Sequence, residues 1–481
     1  MAKYDLPQWV SVHKKPGQTV KVRSGNYYLY EQKCVYDSTK KHKNTTIDIY
    51  LGTITKENGF IPKRIAKDLP PDSIVSKSYG AYCLINHCCR DVLGRLKQHF
   101  GDYSNIIFTI AALRSIEKTP YCDLETEYEG SYFSVFDKTL PMSKTALSDF
   151  LADLSLKESS FIQFMREDID GDDILIFDGT NLLCGSQKIS YSGKGYKHGH
   201  NYPAQVNQLY AYSPGKRKPV YYKLLEGGVP DSQSLSDILE EAGISNGVAI
   251  IDNGFASDNN IASLISHKVK YILALRRDSK HVTDEILNDA FGLNCIEKFT
   301  NNHESVFAYE TKDENGNRIC IYFNQTIRGV ETSEYLDKIT RGWSGYTEEN
   351  YATQCKRFGI YVLKTNVSFS LKKIYEYYKS RFEIEYLFDT VKNTLEFDKV
   401  YMHSDKSLRS WAFINHVSII MTQLIYDFLA MCEVQYSFHS TMKLLKQVIK
   451  GRTVTNTTDD YKLHVIPAKA RKLIEKLGLS I

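Results

Sequence analysis

Four polar residues in the last third of the chain, Tyr378, Arg381, Glu385 and Lys392, follow the spacing Tyr-x2-Arg-x3-Glu-x6-Lys. On one continuous helix, at about 100° per residue, they share a stripe roughly 60° wide. Ile384, Phe388, Val391 and Leu395 form an apolar stripe beside it, so the polar set is expected along the edge of a core-facing helix. A phenol, a guanidinium, a carboxylate and an ammonium gathered there suit a phosphate and a metal ion. Two further carboxylates complete the set. Asp178 ends the apolar run DILIFD and Asp252 ends GVAIID, each at the tip of an expected buried strand. Hard divalent ions prefer such oxygens, and when bound they activate an attacking oxygen and stabilise a leaving one in phosphoryl transfer. Arg381 suits a phosphate in bidentate fashion, Lys392 as a point charge, and Tyr378 through its hydroxyl or by stacking on a base.

Each piece also has a plainer reading. Aspartates at strand ends often cap or turn the chain. Glu385 and Arg381, four apart on a helix, would gain only about 0.3–0.5 kcal/mol as a surface pair. The conjunction is more telling: two apolar strands ending in Asp, then a helix with the four-residue stripe.

The elements that must position these residues start at 173. DILIFDGTNLL, NQLYAYSP and KPVYYKLLEG read as strands, the last two joined by the turn Pro214-Gly215-Lys216. Helix SLSDILEEAG, strand GVAIIDNGF, helix NNIASLISH and strand VKYILALRR follow. These two stretches, 166–279 and 358–431, form an α/β core, and 280–357 between them reads as a β-rich insertion containing Trp343. Residues 1–70 read as a basic β-hairpin region with Lys40, Lys41 and Lys43 at its tip, 71–165 as helical, and 432–481 as a basic helical tail.

At this point the sequence resembles bacterial insertion-sequence transposases of the DDE type, in the group marked by the Tyr-Arg-Glu-Lys signature. YYKSRFEIEYLFDTVKNTL matches the signature at all four positions, FDGT resembles the first aspartate motif and IDNGF the second. The likeness runs from Asp173 to about Met431, and more loosely over 25–60. One departure is Asn253, where the family often has Arg after the second aspartate. The resemblance implies a ribonuclease H-like mixed sheet with flanking helices, interrupted by the β-rich insertion. It implies that Asp178, Asp252 and Glu385 bind two Mg2+ ions, with Mn2+ as a substitute. Cleavage at inverted-repeat ends and transfer of the 3′-hydroxyls to target DNA would follow, carried out by a homodimer in the synaptic complex. Tyr378, Arg381 and Lys392 would hold terminal phosphates, and Trp343 would stack on a flipped base, unless it anchors the insertion.

Composition agrees with a soluble enzyme that grips a polyanion. The 481 residues are 42% hydrophobic and 25% charged. Net charge is only +4, yet residues 1–70 carry 13 Lys/Arg against 6 Asp/Glu and residues 441–481 carry 9 against 3, leaving the middle at −9. Basic ends suit DNA and an acidic centre suits metal, although terminal lysines also serve solubility. Ten cysteines without a CxxC pair read as reduced thiols. The greasiest segment, Trp411 to Met431, contains Asn415, His416, Gln423 and Asp427, so a buried helix is expected there and a cytoplasmic chain with no membrane partner.

Weaker signals remain. GKGYKHGH places Lys194, Lys197, His198 and His200 in a glycine-rich loop, where Lys197 is a candidate DNA contact and a solvated loop the alternative. Lys216, Arg217 and Lys218 read as an exposed turn, and His416 as a core histidine.

Overall fold

The structure is a computed structural model and describes residues 6–23, 26–36, 44–56, 59–62, 73–195, 204–229, 234–289, 292–389, 399–453 and 460–481. The chain divides into two units: Met1–Val75 with Gly451–Lys462, and Ser76–Lys450 with Leu463–Ile481. In the first, strands Gln18–Arg23, Asn26–Tyr36, Asn44–Thr55 and Gly59–Pro62 form an antiparallel sheet around Val10, Leu29 and Ile54. Its central pair is the expected hairpin. The lysines at the hairpin tip fall outside the described residues.

The second unit is built on one sheet. Strand β1 (Ile174–Leu183) pairs antiparallel with β3 (Ala204–Ser213), whose outer edge takes the short β2 (Gly193–Lys194) and then β4 (Lys218–Glu226). On its other side β1 runs parallel to β5 (Val248–Ile251), and β5 runs parallel to β6 (Lys270–Leu275). Parallel strands lie under helices on both faces, and all four residues of β5 are buried. Helices α1 (Leu235–Ala242) and α2 (Asp258–Ser266) make the crossovers, α1 ending on Gly243 at φ 70°, the left-handed geometry glycine favours.

Residues 280–357, read above as a β-rich insertion, supply β7 (Glu297–Asn301), β8 (Glu304–Lys312) and β9 (Arg318–Asn324). They also form α3 (Gln325–Thr340) and α4 (Glu348–Gln354). The three strands continue the same sheet: β9 pairs with β10 (Ile360–Thr365), which pairs with β6. Trp343 lies in the turn after α3, edge-on to Tyr346 at 6.5 Å. It is 54% exposed, with Lys338 Nζ 5.9 Å from its ring.

After β10 come α5 (Leu371–Lys379), α6 (Phe382–Asp389) and the core helix α7 (Asp405–Met431). Helix α7 is long and apolar enough to cross a membrane by composition, but 72% of its most apolar window is buried. Phe413 explains why: it stacks on Phe161 at 4.4 Å and meets Phe100 at 5.0 Å and Phe164 at 5.5 Å, rings from the preceding helical region. Lys216 and Lys218 are not a merely exposed turn. Lys218 bonds the buried Asp168 at 2.6 Å and Lys216 bonds Asp173 at 2.8 Å, tying the β3–β4 turn to the segment that enters β1.

His416 on α7 is fully buried, 5.2 Å from the Tyr222 ring, and neither ring nitrogen has a partner. Burial pushes its imidazole down to about 3, outweighing the pull of Asp168. The unfolded chain takes up that proton near the ordinary histidine value of about 6.5, and the folded chain does not. Stability therefore falls with pH below that value, by up to about 1.4 kcal/mol per pH unit. His416→Phe is expected to flatten the acid limb of the urea midpoint, measured between about pH 6 and pH 4. Phe413→Ala is expected to cost about 3–5 kcal/mol in the same measurement, and Trp343→Ala less than about 0.5 kcal/mol.

Candidate active site

Register places the two aspartates side by side. Ile251 on β5 aligns with Phe177 on β1 in a parallel pair, so the next residues, Asp252 and Asp178, lie at the same level. Asp252 follows the end of β5 as expected, but Asp178 is not at a strand tip: β1 continues to Leu183, paired with β3. Strand continuity holds Asp178 at 20% exposure, while Asp252 begins a 3-10 turn and is 41% exposed. Each turns one oxygen to the following backbone: Gly179 N–H donates to Asp178 Oδ1 at 2.9 Å, and Asn253 N–H to Asp252 Oδ1 at 2.7 Å.

The second oxygens converge on one cation. Arg381 Nη2 lies 3.2 Å from Asp178 Oδ2 and 3.0 Å from Asp252 Oδ2. Burial opposes the charge on Arg381, but the two carboxylates prevail and hold its pKa above the ordinary value. Its Nε is buried and donates to nothing. Tyr378 packs alongside, its hydroxyl pKa raised by burial against the lowering effect of Arg381. The Tyr378 ring lies 6.0 Å from Tyr361, which in turn faces the Arg277 guanidinium at 5.9 Å.

One continuous signature helix does not form. Tyr378 ends in α5, Glu385 sits in α6, and Arg381 occupies the break between them. Ser380 Oγ bonds back to Tyr377 O at 2.7 Å, and the N–H groups of Arg381, Glu383 and Ile384 each bond three residues back. A serine bonding its own helix bends it, and the tighter three-residue bonds turn the chain at that point. The bend delivers the guanidinium to the aspartates.

Glu385 is on the exposed side of α6, which packs against the sheet through Ile384 and Leu387, with Phe388 5.9 Å from Tyr210. It makes no ion pair with Arg381 and no hydrogen bond to either aspartate, and its visible electrostatic neighbour is Lys379. Among the described residues no three His, Cys, Asp or Glu side chains gather closely enough to hold a metal ion. Asp178 and Asp252 alone fit one, because their oxygens already meet at a single positive centre and hard divalent ions take that donor set. Lys392 and Lys197 lie outside the described residues.

Sequence reasoning passed over several neighbours. Glu383, not Glu385, is the half-buried carboxylate of α6; burial raises its pKa and Tyr212 donates to it at 3.3 Å. Arg276 and Arg277 directly follow β6, at the sheet edge that carries Asp252. With Gln354 and Arg357 they line a cleft of about 510 Å³. The signal was present in VKYILALRR, an apolar strand ending in paired arginines where its neighbour ends in aspartate.

Residues 169–421, a span holding Asp178, Asp252, Arg381 and Glu385, match the family model of the transposase DDE domain. The chain belongs to the DDE transposases. The protein is accordingly a DNA transposase. No curated protein matches the sequence. Among solved structures, a piggyBac transposase synaptic complex with hairpin DNA aligns with a TM-score of 0.36 and 11% identity, covering 80% of this chain and 81% of that one.

The ion-paired centre of this transposase makes a direct prediction. Arg381→Met removes the only cation bonded to Asp178 and Asp252 among the described residues, and is expected to destabilise the protein by roughly 1–3 kcal/mol. Adding Asp252→Asn should recover part of that loss, because one of two neighbouring like charges is removed along with their shared partner. Urea denaturation of the two variants measures both steps.

Proposed function

We propose that this DDE transposase belongs to the insertion-sequence group with the Tyr-Arg-Glu-Lys signature and carries a ribonuclease H-like catalytic core. The order β4-β3-β1-β5-β6, antiparallel on one side of β1 and parallel on the other, supports that core. In this reading the protein binds the inverted-repeat ends of its element, hydrolyses the phosphodiester there and joins the 3′-hydroxyl ends to target DNA. Two protomers hold two ends together. The observation that carries the reading is the Asp178–Arg381–Asp252 centre, formed where Asp178 inside β1 lies level with Asp252 at the end of the adjacent parallel strand β5.

Asp178 and Asp252, joined by Glu385, would hold Mg2+ or Mn2+; such ions, when bound, lower the pKa of an attacking oxygen and neutralise charge on the phosphate. The chain's own residues do the rest. Arg381 turns its unpartnered Nε to a non-bridging phosphate oxygen, a charge-assisted bond that fixes the strand. Tyr378 donates its hydroxyl to the same phosphate, and its raised pKa keeps that proton in place at neutral pH. Arg276 and Arg357 extend positive charge along the cleft for the backbone. Lys392 and Lys197 supply further phosphate contacts, and the exposed Trp343 is free to stack on an unpaired base.

The test is cleavage and joining of end-containing duplex with added Mg2+. Wild type is expected to nick and join; chelation, Asp178→Asn and Glu385→Gln are each expected to bring product to background. Equal product from wild type and Glu385→Gln would remove Glu385 from the site. With pre-cut ends, nicking without joined product would mark a nuclease of the same fold.

A further inference from the structure

Beside Asp178 lies a patch of polar side chains that the reaction described above does not use. Antiparallel pairing sets Asp178 opposite Tyr210 and Thr180 opposite Gln208. Paired residues, and residues two apart, share one face of a sheet, so the four side chains are neighbours. Three of them are unsatisfied: Thr180 Oγ1, both amide atoms of Gln208 and the Tyr210 hydroxyl are buried without a hydrogen-bond partner. Gln208 and Tyr210 are 0% exposed and Thr180 is 3% exposed.

Folded chains keep few such atoms, and each one asks for an explanation. Other polar side chains on the same strand are satisfied. Tyr212 donates to Glu383, and Asn207, on the opposite face, donates to Val229 O at 2.9 Å. The orphaned atoms are concentrated next to one carboxylate.

That carriage matters when Asp178 changes partners. Its oxygens are now committed to Gly179 N–H and to Arg381. A divalent cation held by Asp178 and Asp252 would need the oxygens that now face the guanidinium, and a ligating carboxylate is held in aim by outer hydrogen bonds. The Gln208 side chain is diagonal to Asp178 across the strand pair, a separation that long side chains span.

We propose that Gln208, supported by Thr180, is a positioning residue for Asp178: its amide N–H takes one carboxylate oxygen as Arg381 withdraws and aims the other at the cation. This rests on the reading of Asp178 and Asp252 as cation ligands. Gln208 touches no substrate. It acts through the aspartate alone.

The experiment is Mn2+ binding to the full chain without DNA, by titration calorimetry, paired with urea denaturation. Gln208→Leu is expected to weaken Mn2+ binding about 10–100-fold. The urea midpoint should hold or rise, because two unpartnered polar atoms leave the core. Thr180→Val, a near-isosteric change, should shift affinity the same way by less, and it decides the matter if Gln208→Leu does not fold. Unchanged affinity in these variants, with or without a lower midpoint, overturns the proposal and leaves the cation site standing. Wild type that binds no Mn2+ overturns both.

Discussion

The architecture of the candidate site depends on one electrostatic constraint: two carboxylates held level on adjacent strands, Asp178 within β1 and Asp252 just past β5, must be neutralised. Asp178 and Asp252 are placed by the register of β1 against β5, and neither can be withdrawn without shifting that register. Two like charges held this close and only partly exposed repel each other unless a cation lies between them. Arg381 meets the demand from a segment more than a hundred residues further along, drawn in by a bend at Ser380. The sheet creates the problem and the broken helix resolves it.

That solution gives the centre two electrostatic states. Arg381 is now counter-ion to the aspartates, with one donor still unused. In the proposed reaction, a phosphate drawn to that donor and a cation drawn to the carboxylates would pull the same ion pair apart from opposite ends. On that proposal DNA and metal would reinforce each other without any large motion of the sheet, whose strand β5 is buried along its whole length.

Much of this was legible in the sequence. The strand and helix order from 173 to 275 follows the hydrophobic pattern because buried parallel strands read as continuous apolar runs between turn residues. Asp178, Asp252 and Arg381 were found by type and spacing, and the structure brings all three together. The single signature helix was not found, because periodicity extrapolates through Ser380 and does not register a side chain bonding back to its own backbone. Glu385 accordingly sits away from the aspartates, on the exposed side of a second helix. The inward turn of Lys216 and Lys218 was also illegible, since its acidic partners lie in a loop some fifty residues earlier.

The strands of 297–324 carry a last consequence. Because β9 is laced to β10 over six residue pairs, from Arg318 with Thr365 to Phe323 with Ile360, this stretch cannot be lifted out as a detachable cassette. Excising it would bare the flank of β10 as a raw hydrogen-bonding ledge, which any second chain with a free edge would zip onto. Replacement of this region is therefore tolerated only in its helices and turns, with the ladder beneath them kept.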